Sequence, residues 1–101
     1  MKIENFEGVK NQFLLREDNG NVTLQSYDSI VAKIDNGILK FGEDWDYSTT
    51  TSKYVYKFLE EYTYKINNIQ YTEIKKALLK ANKRTQFLNL IKKGIITVTN
   101  L

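Results

Sequence analysis

The sequence predicts an α+β fold with an antiparallel meander of about four strands, and three observations carry that expectation. Asn19-Gly20 and Asn36-Gly37 each separate two apolar runs. Asn-Gly accepts the positive φ of tight hairpin turns, so each pair reads as a strand reversal. After residue 48 the apolar spacing lengthens from two residues to the three-and-four rhythm of a helix. With 101 residues, 42% of them hydrophobic, the chain has the length and the apolar content for a single domain, residues 1–101, around one core.

Taken in order, residues 1–10 scatter Ile3, Phe6 and Val9 among polar residues and leave strand and helix both open. Gln12 to Glu17 reads as a strand, and Val22 and Leu24 then share one face of the next. Ser26-Tyr27-Asp28-Ser29 reads as a turn or bulge. The run that follows alternates with Ile30, Ala32 and Ile34 inward, and the last strand of the meander turns Leu39 and Phe41 inward. Trp45 is expected in the core where sheet meets helix, because large aromatic side chains dominate burial in a small domain. Ser48, Thr49 or Thr50 can cap a helix running to about Tyr62, with Val55, Phe58, Leu59 and Tyr62 as its buried stripe. Glu60 and Glu61 lie near the C-terminal end of that helix, where the macrodipole disfavours them. Residues 64–71 read as a loop, with a short strand near Lys65-Ile66 as an option.

Thr72 is expected to cap a second helix over 73–81, with Ile74, Ala77, Leu78 and Ala81 on one face. Phe87, Leu88 and Ile91 point inward from a third helix, and Gly94 sits where a C-terminal cap needs positive φ. Ile95 to Thr99 is a β-branched closing strand expected to rejoin the sheet. The layout is thus a sheet and helix over 12–62 and a basic helical part with a closing strand over 72–101.

Composition narrows the chemistry. The chain holds no Cys and no His. Thiolate nucleophiles, disulfides, zinc sites built on those ligands and His-based acid–base catalysis are therefore excluded. No set of Asp, Glu, Lys, Tyr or Arg stands at a recognisable catalytic spacing, so the expectation is a protein that is not an enzyme and needs no cofactor or metal. The N-terminal residues lack an apolar run, and no stretch nears the roughly 18 apolar residues of a membrane span, so a cytoplasmic protein with no membrane partner is expected. Asn21-Val22-Thr23 fits a glycosylation sequon but reads as part of a turn.

Charge is unevenly placed. Residues 1–71 carry 8 basic and 11 acidic side chains, whereas residues 72–101 carry 7 basic ones and Glu73 alone on the acidic side. The basic set is Lys75, Lys76, Lys80, Lys83, Arg84, Lys92 and Lys93, and helical spacing puts Lys76, Lys80, Lys83 and Arg84 on one outward side. Such a face meets phosphates or an acidic protein, or serves as ordinary solvated surface. The two short helices near Asn82 also outline a helix-turn-helix with the last strand as a wing, though the joining turn lacks glycine. Seven tyrosines are many for this length, and Tyr54 and Tyr56 are expected to supply contacts to a partner. Glu43, Asp44 and Asp46 do not match a calcium loop and sit favourably before a helix start. Thr49 to Lys53 lacks the glycines of a phosphate loop.

Three strings carry a resemblance: Ser26-Tyr27-Asp28-Ser29-Ile30-Val31-Ala32-Lys33-Ile34-Asp35, then Trp45-Asp46-Tyr47-Ser48, then Thr50-Thr51-Ser52-Lys53-Tyr54. Over residues 12–62 the chain resembles a small domain family of unknown function from phages and mobile elements of Gram-positive bacteria. The Trp-Asp-Tyr-Ser element is its most specific part. The resemblance implies a small phage accessory protein, a group that includes anti-CRISPR proteins. The expected function is accordingly non-enzymatic inhibition of a bacterial defence system, with a Cas effector such as a Cas9-type nuclease, or its guide RNA, as partner. The alternative is a small DNA-binding regulator using the 72–93 helix pair, and a virion or assembly component is a third reading.

Overall fold

A computed structural model describes residues 1–101. Six strands form one sheet in the order β1 to β6: β1 Lys2–Asn5, β2 Gln12–Arg16, β3 Val22–Ser26, β4 Ser29–Asp35, β5 Ile38–Gly42 and β6 Thr97–Thr99. The first five pair antiparallel, each with its neighbour in the chain, and the Asn-Gly pairs make two of the four reversals, β2 to β3 and β4 to β5. Asn36 and Gly37 both take positive φ, 51° and 82°, which gives β4 and β5 the twist-matched two-residue hairpin. The Gly37 carbonyl accepts from Asn67 N at 3.1 Å and from Asn68 Nδ2 at 2.8 Å, so this turn also anchors the segment that joins the first two helices. Asn21, the sequon residue, has its side chain engaged: Nδ2 donates to Asp35 at 2.7 Å and Oδ1 accepts from Asn36 N at 3.1 Å.

Residues 1–10 resolve into both options. Lys2–Asn5 pairs with β2, and Phe6–Gly8 makes a 3-10 turn that buries Phe6. The inward set of β4 departs from simple alternation. Leu24 pairs with Ala32 but Gln25 pairs with Ile30, so Val31 is an extra residue in a bulge. A bulge shifts the phase by one residue, so Val31 and Ala32 are both buried while Ile30 stays half-exposed.

Between β5 and β6 lie the three helices: α1 Thr49–Tyr62, α2 Ile69–Leu78 and α3 Lys83–Lys92. β6 runs parallel to β5, and a parallel neighbour needs a crossover long enough to return the chain to the same end. The helices are that crossover. Ser48 caps α1, its Oγ accepting from Thr51 N at 3.1 Å, and Val55, Phe58, Leu59 and Tyr62 are buried as the stripe predicts. A 3-10 turn over Thr63–Lys65 replaces the optional strand near Lys65-Ile66, and buried Ile66 anchors it.

The second helix starts earlier than its sequence suggests. Asn68, not Thr72, is the cap, its Oδ1 accepting from Gln70 N at 2.8 Å, and the helix stops at Leu78 rather than Ala81. The early start is secured by Gln70. It is buried, with Oε1 accepting from Leu39 N at 2.7 Å and Nε2 donating to Leu39 O at 3.0 Å and Ile95 O at 2.8 Å. In α3, Phe87 and Leu90 are the buried residues, whereas Leu88 is exposed and Ile91 only half-buried. Gly94, at φ 78°, ends α3: its N–H reaches Ile91 O at 3.0 Å and Ile95 N–H reaches Leu90 O at 2.9 Å, the paired bonds of a Schellman cap.

An aromatic column holds the layers together. Trp45 stacks on Phe41 at 4.7 Å, Phe41 meets Phe87 at 6.0 Å, and Phe87 stacks on Tyr56 at 5.4 Å. The column links β5, the residues after it, α3 and α1, with Trp45 in the core as expected. No helix is long and apolar enough to cross a membrane.

Candidate functional site

Because the helices form a layer of their own, the charge asymmetry becomes a spatial one. Residues 49–94, the helical part, hold ten basic and three acidic side chains, while residues 1–48 hold five basic and nine acidic ones.

The predicted basic residues lie on the helical layer, in a different arrangement from the expected single face. Since α2 ends at Leu78, Lys76 belongs to α2, Lys80 to the connecting turn, and Lys83 and Arg84 to the first turn of α3. They surround the α2–α3 turn, where Lys83 Nζ donates to Lys80 O at 3.2 Å. Arg84 Nε donates to Asp46 Oδ2 at 2.6 Å, and Lys76 lies 3.6 Å from Glu73. Lys75 lies beside the Tyr71 ring, and Lys92 and Lys93 sit at the C-terminal end of α3, where the macrodipole favours cations. Lys83 and Arg84 have the opposite setting, two positive charges at a helix start with no acidic residue in the first turn. That placement alone disfavours the helix, and the Asp46 carboxylate on Arg84 offsets it.

Two cations escaped the sequence reading. Lys53 and Lys57, one turn apart on α1, share with Lys83 a groove of about 360 Å³ also lined by Tyr56 and Glu60. Glu60 therefore sits among lysines, which offsets its poor position on α1. The signal in the sequence is the four-residue spacing of Lys53 and Lys57, but their meeting with Lys83 depends on α3 packing beside α1.

Tyr54 and Tyr56 are not free anchors. Tyr54 is half-buried, edge-on to Phe6 at 6.5 Å. Tyr56 is stacked on Phe87, and its phenol oxygen is buried without a hydrogen-bond partner. Burial pushes the Tyr56 phenol above the usual tyrosine range, the Asp46 carboxylate adds to the rise, and Arg84 partly offsets it. The exposed tyrosines are Tyr27, Tyr47, Tyr64 and Tyr71.

A second concavity lies at the opposite chemical pole. An open cleft of about 530 Å³ is walled by the turn Ser26–Ser29 and by Asp44, Tyr47, Ser48, Thr50 and Thr51. Two stretches well apart in the chain, each rich in hydroxyls and each carrying one exposed tyrosine, meet here. Ser29 Oγ donates to Asp44 at 2.8 Å, and Ser26 Oγ lies 3.3 Å from Thr51 Oγ1. Tyr27 holds positive φ, 54°, in the turn, with its N–H on Asn11 O at 2.7 Å. Asp28 and Asp44 make no salt bridge, so the cleft is electronegative. The acidic trio does not converge: Asp44 faces Ser29 and Asp46 faces Arg84. Around the start of α1, Ser52 Oγ donates back to the Ser48 and Thr49 carbonyls, so that hydroxyl is spent on the helix.

Residues 1–76 match a family described as a family of unknown function (DUF8033), and the chain belongs to that family. No curated protein and no solved structure matches the chain at a significant level. The matched residues include the whole cleft and most of the sheet but leave out α3 and, with it, Lys80 to Lys93.

Proposed function

We propose that this member of the family is a non-enzymatic binding protein that holds a polyanionic partner on its helical layer. The observation that carries the reading is the segregation of charge between layers: ten cations against three carboxylates over residues 49–94, with Lys53, Lys57 and Lys83 gathered into one groove. Excess cations on a helix face are common for solubility, but Lys53, Lys57 and Lys83 gather in one groove without making a salt bridge, which leaves them open to an anionic partner.

The finer reading is that the partner belongs to a bacterial defence system: a Cas effector such as a Cas9-type nuclease, contacted at its guide RNA or acidic rim. It is supported by the small single domain without His or Cys and by the resemblance carried by Ser26–Asp35 and Trp45–Tyr54. The duplex-DNA regulator has less support, since β6 is held in the main sheet and is not free as a wing.

Fluorescence anisotropy against labelled nucleic acid across a salt series tests the polyanion reading. With about five phosphate contacts, log K should fall against log salt with a slope of roughly −4 to −5. No binding to any polyanion at low salt would remove the reading. A reconstituted cleavage assay tests the finer one: the protein should suppress target cutting by a guide-loaded Cas9-type nuclease, and undiminished cutting at saturating protein counts against it.

A further inference from the structure

We infer that the polyanion is a single-stranded nucleic acid whose bases stack on Tyr64 and Tyr71, an inference that rests on the polyanion reading of the helical layer. Of the four exposed tyrosines, these two belong to that layer, with 70% and 40% of their surface open. Each ring has an ammonium over one face: Lys65 Nζ is 5.5 Å from the Tyr64 centroid and Lys75 Nζ is 5.9 Å from that of Tyr71. A ring beside a cation is the pairing that a nucleotide needs, a flat face for the base and a positive charge for its phosphate.

The two pairs follow one another in the chain. The 3-10 turn that carries Tyr64 leads, three residues on, into α2, which carries Tyr71. From Tyr71, residues Lys75 and Leu79 follow at four-residue spacing on the outward side of α2, and Leu79 is almost fully exposed. Eight residues at the helical rise make a track of about 12 Å, ending at the turn that holds Lys80, just before Lys83 opens α3. Along α2 a ring, an ammonium group and an apolar tip therefore follow one another from Tyr71 to the turn that holds Lys80.

This succession separates a single strand from the other polyanions. In a duplex the base faces are already stacked on one another, so a duplex can use the lysines but not the rings. An acidic protein surface likewise needs only the cations. Exposed tyrosine faces add affinity only for a strand whose bases are free.

The test measures a labelled oligouridylate, a duplex of matched length and heparin by anisotropy at one salt concentration, with the parent protein and Y64A/Y71A. The parent should bind the oligouridylate roughly tenfold more tightly than the duplex, and the double variant should lose about ten- to a hundredfold on the oligouridylate alone. Y64F/Y71F should keep the parent affinity, because stacking needs the ring and not the hydroxyl. Both tyrosines are exposed, and a thermal melt of each variant matching the parent verifies the fold. If Y64A/Y71A binds oligouridylate as tightly as the parent while heparin and duplex still bind, the stacking inference is overturned and the polyanion reading stands. Competition by polyglutamate equal to that of oligouridylate, with the tyrosines dispensable, points to an acidic protein instead and also overturns it. If none of the three probes binds at low salt, both readings fall together.

Discussion

The sheet side and the helical side of this molecule employ their charges differently. On the sheet side several carboxylates, although not Glu7, Glu17 and Glu43, are tied into the structure: Glu4 pairs with Arg16 at 2.7 Å, Asp35 accepts from Asn21 at 2.7 Å and Asp44 accepts from Ser29 at 2.8 Å. On the helical side most cations have no such task, and Lys53, Lys57, Lys80, Lys92 and Lys93 make no salt bridge. One ion pair, Arg84 with Asp46, joins the two sides. Charges that stabilise the fold are thereby distinguished from charges that the fold merely displays, and displayed charge is available to a partner. The cleft between Tyr27 and Tyr47 blurs the division, since Asp28 on its wall is also unpaired.

The largest expected effect comes from detaching one side from the other. Phe87 is fully buried and stands between Phe41 of the sheet and Tyr56 of α1. Phe87→Ala should cost about 3–5 kcal/mol, read from a urea titration, through lost burial and the cavity left behind. A cost below about 1 kcal/mol would show that α3 is not held by this column. Gln70→Leu should follow at about 3 kcal/mol, because it keeps the volume but strands the Leu39 N–H and the Leu39 and Ile95 carbonyls.

Next comes the displayed charge. Reversing Lys76, Lys80, Lys83 and Arg84 to Glu should lower affinity for nucleic acid by at least about a hundredfold at low salt and flatten the salt slope by roughly 3 to 4. In the finer reading the same variant should also lose suppression of a Cas9-type nuclease. Stability should fall modestly, because Arg84→Glu replaces the pair with Asp46 by a like-charge contact, and K76E/K80E/K83E, which keeps that pair, isolates the effect on binding. The control is the acidic cleft, where D28N/D44N should leave nucleic-acid affinity within about twofold of the parent. If both variants lose equal affinity, the contrast between the layers has no functional meaning.

Legibility in the sequence followed the range of the interaction. The hairpins at Asn19-Gly20 and Asn36-Gly37, the Ser48 cap and the Gly94 stop were readable because each depends on residues a few positions apart. The Val31 bulge was not: Ile30 and Val31 are both β-branched and apolar, so alternation alone gives no phase. The start of α2 was misplaced because Asn67-Asn68 resembles a loop, and Gln70 reveals itself only once β5 and Ile95 lie beside it. The parallel direction of β6 is likewise a property of the whole crossover. Of the site, Lys75 to Lys93 stood out as a run of basic residues. The contribution of Lys53 and Lys57 required α3 to pack next to α1, and the cleft required Ser26–Ser29 to meet Asp44–Thr51.

A smaller effect is expected where the two sides meet in sequence. Ser48 Oγ accepts from Thr51 N at 3.1 Å at the first turn of α1. Ser48→Ala should cost about 1 kcal/mol by leaving that N–H without a partner. Ser48→Asp should restore the acceptor and add a charge that the helix start favours, so its melting temperature should return to that of the parent.

The smallest effect lies at Tyr56, whose phenol oxygen is enclosed without a hydrogen-bond partner beside Asp46 and Arg84. Burial first and the Asp46 carboxylate second raise its pKa above the usual tyrosine value, so the folded state prefers the neutral phenol. The sign follows directly: this contribution to stability is complete below the unfolded value of about 10 and is lost as pH rises through the higher folded value. Tyr62, raised chiefly by burial and then by Glu61, behaves in the same way. Tyr56→Phe removes an enclosed hydroxyl with nothing to bond and keeps the stack on Phe87, so at neutral pH stability should stay level or rise by up to about 1 kcal/mol. Thermal melts from about pH 8 to 11 should show a shallower alkaline decline for Tyr56→Phe than for the parent, and a shallower one still when Tyr62→Phe is added. A steeper decline would place an unseen partner on the Tyr56 hydroxyl, and with it a polar link between α1 and the Arg84–Asp46 pair that joins the two sides.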